Sequence, residues 1–158
     1  MISIPIEITN PGRYRFVWNS AVGIGNDGTE HNDSWLRIDA DSFYGQQGAN
    51  SIVCPVGTPA SNDCDGRAPH GTSADGWFKI YRSGNPSGGF KWQSSTSDSD
   101  GHGIFVEFDA PGTYEIEISG RSTGHQIDRI VLHRDGNANN NVSNGDATNL
   151  NNPESARR

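Results

Sequence analysis

Several things are scarce in this sequence, and each scarcity removes a class of protein. No apolar run reaches the roughly 20 residues that cross a bilayer, so no segment reads as a membrane helix. Basic residues are outnumbered, 12 Lys and Arg against 19 Asp and Glu, which leaves a formal net charge of −7. A phosphate backbone or an anionic lipid surface needs a basic face, so neither nucleic acid nor a membrane is expected as partner. Helical periodicity is missing, while 20 Gly and 8 Pro favour many short strands joined by turns. The chain also lacks a G-x-S-x-G elbow, a Walker loop, a Rossmann fingerprint and an H-E-x-x-H pair.

Cysteine is nearly missing too: Cys54 and Cys64 are the only two. They bracket a polar loop of about 11 residues and fit no usual zinc spacing. Either they are separate buried thiols or they form a disulfide, worth roughly 2–3 kcal/mol by loop closure. The disulfide is the expected state, because little in this loop is apolar enough to hold it otherwise. The first residues already read as a strand with no signal peptide before them, so the chain is expected to be a mature or excised domain.

What remains is a pattern of strands. Ile2, Ile4, Ile6 and Ile8 alternate with polar residues, and Pro5 among them predicts an edge strand. RYRFVW at 13–18 puts Tyr14, Phe16 and Trp18 on one face. SWLRID at 34–39 puts Leu36 and Ile38 on one face and Trp35 and Arg37 on the other. WFKIYR at 77–82 and FKWQS at 90–94 read as a hairpin about the loop SGNPSGG. IFVEF at 104–108 is a further strand. Residues 114–119 and 127–133 read as an antiparallel pair flanking the loop GRSTGHQ. Residues 40–76 are irregular, either functional or hiding short strands. The sandwich domain is expected to end near residue 135, with 136–158 an Asn-, Gly- and Ser-rich linker or disordered tail. NPGRY at 10–14 and APGTY at 110–114 echo each other at the mouths of two strands.

With successive strands running alternately up and down, loops 19–33, 93–103 and 120–126 meet at one pole. They carry EHND, TSDSDGH and GRSTGH, so His31, His102, His125 and Arg121 are expected to converge beside Trp92 and Trp35. Convergence of the three imidazoles would also permit a transition-metal site.

NDSWLRID at 32–39, the tryptophan-bearing strands, and PGTYEIEISGRSTGHQIDRIVL at 111–132 resemble the galactose-binding-like jelly rolls among carbohydrate-binding modules, including the family 6 modules and malectin-like domains. The resemblance implies an all-β antiparallel sandwich of jelly-roll type. It implies a non-catalytic module, secreted and tethered to a polysaccharide-degrading enzyme, that holds a polysaccharide or oligosaccharide. Sugar C–H faces stack on aromatic rings while hydroxyls need oriented polar partners. The candidate ligand residues are therefore His31, Asn32, Trp35, Trp77, Trp92, Arg121 and His125. Calcium, structural in role, is the cofactor the resemblance implies. Its usual acidic motif is missing from IPIEI at 4–8, but Asp128 matches the aspartate of the family's last strand. The D-x-D-G step at Asp98 and Asp100 adds two closely spaced carboxylates, and a similar step stands at Asp63 and Asp65. The alternatives are a small β-sandwich polysaccharide lyase or hydrolase, and a calcium-dependent adhesion domain.

Overall fold

In the computed structural model the described residues are 1–57, 75–84, 88–96, 100–134, 147–149, 151 and 155–156. They form eleven strands: β1 (Ile2–Ile8), β2 (Gly12–Val22), β3 (Asp33–Ile38), β4 (Ser42–Gln47), β5 (Ser51–Val53), β6 (Phe78–Tyr81), β7 (Lys91–Trp92), β8 (Ser95–Thr96), β9 (Gly103–Phe108), β10 (Gly112–Gly120) and β11 (His125–Arg134). A five-stranded sheet has the order β1-β10-β3-β6-β8. A six-stranded sheet has the order β11-β2-β9-β4-β5, with β7 added alongside β2. Every pairing is antiparallel. The chain is an all-β sandwich, and only the β4–β5 step keeps two successive strands in one sheet.

The core lies where the inward faces of the two sheets meet. Phe16 and Trp18 from β2, Leu36 and Ile38 from β3, Phe78 and Ile80 from β6, Ile104, Val106 and Phe108 from β9, and Ile116 and Ile118 from β10 form one buried cluster. The rings of Phe43 and Phe78, one from each sheet, meet at 4.9 Å. Alternation had assigned these faces for β2, β3 and β10, because successive side chains point to opposite sides of a sheet. β1, with Pro5, lies at an edge as its proline requires. On β4, a methyl at Gly45 would sit 2.9 Å from Val53 and 3.0 Å from the Cβ of His102, so only glycine lets these elements approach so closely.

The echo between NPGRY and APGTY has a structural counterpart. Tyr14 donates its hydroxyl hydrogen to the Asn10 carbonyl at 2.5 Å, and Tyr114 donates to the Ala110 carbonyl at 2.9 Å. Both rings also pack on Phe108, with centroids 5.7 and 4.5 Å away. Each tyrosine thus ties its Pro-Gly turn to the base of the core.

Three sequence expectations about neighbours are corrected. β10 and β11 are not a pair: β10 lies between β1 and β3, whereas β11 pairs with β2 in the other sheet. β6 and β7 are not a hairpin, since β6 pairs with β3 and β8 while β7 pairs with β2. Residues 19–22 belong to β2, so the first loop is 23–32. The physical reason is common to the first two. Alternation fixes which side of a strand is buried, but an arch to the opposite sheet and a hairpin bury the same side.

Candidate functional site

One end of the sandwich is built by loops that the strand directions gather. β2, β6 and β10 run toward it, and β3, β7 and β11 run away, so loops 23–32 and 121–124 meet there with residues 82–84 and 88–90. The loop after β7 does not take the expected place. β7 runs antiparallel to β2, and the chain then descends through β8. His102 accordingly lies away from the other two histidines. Its Nε2 is 2.9 Å from Ser51 Oγ and its Nδ1 is 2.9 Å from the Asp100 carbonyl, so both ring nitrogens are engaged inside the protein. Among the described residues no group of three His, Cys, Asp or Glu is placed to hold a metal ion, which removes the three-histidine site.

Asp33, the first residue of β3, organises this end. Its side chain is only 4% exposed and meets Arg121 Nη1 at 2.6 Å and Lys79 Nζ at 3.6 Å. Ser122 Oγ donates to its other carboxylate oxygen at 2.5 Å, and the Ser122 amide donates to its carbonyl at 3.2 Å. The carboxylate therefore fixes the 121–124 loop onto the start of β3. It also holds the Arg121 guanidinium over the half-exposed ring of Trp35, 5.5 Å from the centroid.

From there an outward face extends along the outer side of the five-stranded sheet. Trp35 faces Lys79 across β3 and β6, and Arg37 faces Glu117 across β3 and β10. Because Leu36 pairs with Phe78, the half-buried Trp77 falls beside Arg37, whose guanidinium lies 4.7 Å from its ring centroid. Arg37 Nε donates to Glu117, and that bond pushes the Arg37 pKa above its ordinary value. Each tryptophan thus carries a guanidinium that a carboxylate holds in place. The face runs on into an open cleft of about 510 Å³ lined by Arg37, Asp39, Asp41, Cys54, Glu115 and Glu117. That volume lies within the usual range of small-ligand sites, about 300–1,000 Å³.

The other candidates lie elsewhere. His31 has a φ of 58° and Nδ1 2.9 Å from the Thr123 carbonyl, which ties loop 23–32 to loop 121–124. Asn32 is buried and donates to the Gly28 carbonyl at 3.3 Å. Trp92 pairs with Asn19 in the six-stranded sheet, remote from the face that bears Trp35 and Trp77. His125 turns into the sandwich, where its Nδ1 is 2.8 Å from Ser34 Oγ. Asp128 sits in a bulge of β11 with Arg129 Nε 3.6 Å away, and Asp100 contacts His102 at 3.6 Å. Cys54 is buried and is not a free thiol. Asp63, Cys64, Asp65 and Asp98 lie outside the described residues.

Reading the sequence missed Asp33 as a hub, Lys79 as a cross-strand neighbour of Trp35, and the buried Arg82. Arg37 was legible on the same face as Trp35, but nothing local to either strand places Trp77 beside it. No family model matches the chain, and comparison with curated proteins and with solved structures returns no match.

The partly buried His125 imidazole at this end has a consequence for stability. Desolvation lowers the His125 pKa to about 4; the charge of Asp33 opposes the shift and that of Arg82 adds to it. In the unfolded chain the ring protonates near pH 6.5, so the native state binds fewer protons between these values. Stability is then fully present above pH 6.5 and falls as pH drops toward 4. The loss is about 2 kcal/mol, since residual water around the ring keeps it below the full value of the shift. Urea unfolding at pH 7.5 and 4.5 should show a difference smaller by about that amount in His125→Gln than in the wild type.

Proposed function

We propose that this domain binds a polysaccharide non-catalytically on the outer face of the five-stranded sheet, as a secreted module tethered to a polysaccharide-degrading enzyme. The observation that carries the reading is the pair Trp35 and Trp77, partly exposed on one face, each with a carboxylate-held guanidinium against its ring. Flat apolar rings receive the C–H faces of sugars, and the fixed guanidinium groups supply donors to the hydroxyls. The repeated crossing of the chain between sheets supports the jelly-roll topology of the resemblance, and buried Cys54 supports its pairing with Cys64. Calcium has no part in holding the glycan in this reading.

A second reading is kept for one observation: Asp39, Asp41, Glu115 and Glu117 all line the cleft at the end of the face. Glycoside hydrolysis needs two carboxyl groups flanking a bound sugar. Incubation with a panel of polysaccharides separates the two. Retention without new reducing or unsaturated ends is expected, and turnover would replace binding with hydrolysis or elimination. Trp92→Ala should leave retention unchanged, because that ring belongs to the other sheet.

A further inference from the structure

Toward the loop end, the core closes in a polar layer. Along β2 the inward positions run Phe16, Trp18 and then Ser20; along β3, Ile38, Leu36 and then Ser34. β6 presents Phe78 and Ile80 inward, and Arg82 follows in the same alternation. β11 contributes His125 beyond Ile127. Ser20 and Arg82 are both 0% exposed. A layer needed only for packing would be apolar, and this one is only half satisfied. Ser34 meets His125 at 2.8 Å and Arg82 Nη2 donates to the Gly89 carbonyl at 3.0 Å. Among the described residues, Arg82 Nε and Nη1, His125 Nε2, Ser20 Oγ and the indole nitrogen of Trp18 are buried without a partner.

Arg82 is the decisive member. A buried guanidinium needs both its donors satisfied and its charge balanced. Burial pushes its pKa below the ordinary value, and no carboxylate opposes that shift. Its nearest titratable neighbours make matters worse, since its field also lowers the pKa values of His125 and Lys91. Two glycines stand close to its Nη2: a Cβ on Gly88 would lie 3.3 Å away and one on Gly84 4.0 Å, with Lys91 Nζ 3.6 Å from the latter position.

The unpartnered groups also share a sense. Arg82 and the Trp18 indole are donors only. In the tautomer where Ser34 Oγ donates to Nδ1 of His125, Nε2 carries the proton and donates, and Ser20 supplies a hydroxyl. Water would satisfy these donors but leave the charge uncompensated, whereas an oxyanion answers both demands.

We propose that this layer receives an oxyanion carried on the bound glycan, the carboxylate of a uronic acid or a sulfate ester, with Arg82 as its charged partner. The inference rests on the carbohydrate-binding reading and narrows it to acidic polysaccharides, an unusual preference for a chain of net charge −7.

The test follows the Trp18 indole N–H resonance by NMR, assigned by elimination with Trp35→Phe, Trp77→Phe and Trp92→Phe. Wild-type protein is titrated with sodium glucuronate, sodium glucose 6-sulfate, glucose and sodium sulfate at constant ionic strength. The expected result is a saturable shift with at least one anionic sugar, at a Kd at least roughly tenfold below that for glucose. Which sugar responds tells carboxylate from sulfate. Arg82→Gln should abolish the response and Arg82→Lys retain part of it; if Arg82→Gln does not fold, the wild-type titration decides alone. No Trp18 shift with either anionic sugar, or an equal shift with glucose, overturns the proposal. In that event, polysaccharide retention in a pull-down shows that carbohydrate binding itself stands. A response to sulfate ion without retention of any polysaccharide overturns the glycan reading instead.

Discussion

Trp35→Ala and Trp77→Ala are each expected to weaken glycan retention by roughly thirtyfold, about 2 kcal/mol, as measured by affinity electrophoresis against the polysaccharide the wild type retains. Both rings are partly exposed on the outer face, with the guanidinium groups of Arg121 and Arg37 against them. Thermal unfolding should therefore move little, on the scale of about 1 kcal/mol. Trp18 offers the contrast, being fully buried between Phe16 and His125. If the two outer substitutions instead unfold the domain while glycan is still retained by the folded fraction, the rings are structural and the site lies elsewhere.

Asp33→Ala is expected to lower both stability and retention. Stability should fall by about 3 kcal/mol, because the substitution takes the carboxylate from a nearly buried cluster that holds Arg121, Lys79 and Ser122. Arg121→Ala removes only the outer member, whose side chain is 41% exposed. Its stability cost should be under about 1 kcal/mol. Retention should nevertheless fall comparably in both, because in each case the guanidinium no longer stands over Trp35. Equal stability losses in the two variants, or a retention loss in Asp33→Ala alone, would separate the carboxylate from the binding face. Chemical denaturation paired with the same electrophoresis distinguishes these outcomes.

The two predictions depend unequally on what the sequence shows. That Trp35 and Arg37 share an outward face follows from the alternation in SWLRI, since Leu36 and Ile38 must point inward. That Trp77 completes the face does not follow, because its position depends on the register of β6 against β3. His125 and Arg121 stand four residues apart in one polar stretch, and the sequence does not distinguish them. The structure sends one into the sandwich against Ser34 and leaves the other outside against Asp33. β4 and β5 were hidden for a local reason. SFYGQQ carries a glycine at a crowded position and β5 has only three residues, too short for a period to register.

The sequence by itself determined the all-β class, the inward faces of β2, β3 and β10, the edge position of β1 and the two tyrosine-bearing turns. These depend on interactions within a few residues: a two-residue period, a proline lacking its N–H, a Pro-Gly corner. Only the tertiary structure decided that β10 and β11 lie in opposite sheets, that β6 ends and β7 begins at the pole while the step after β7 leads away from it, and that Trp35 and Trp77 form one surface. Partner choice is a property of how two sheets close over a shared core, and a strand buries the same side against any neighbour that fits.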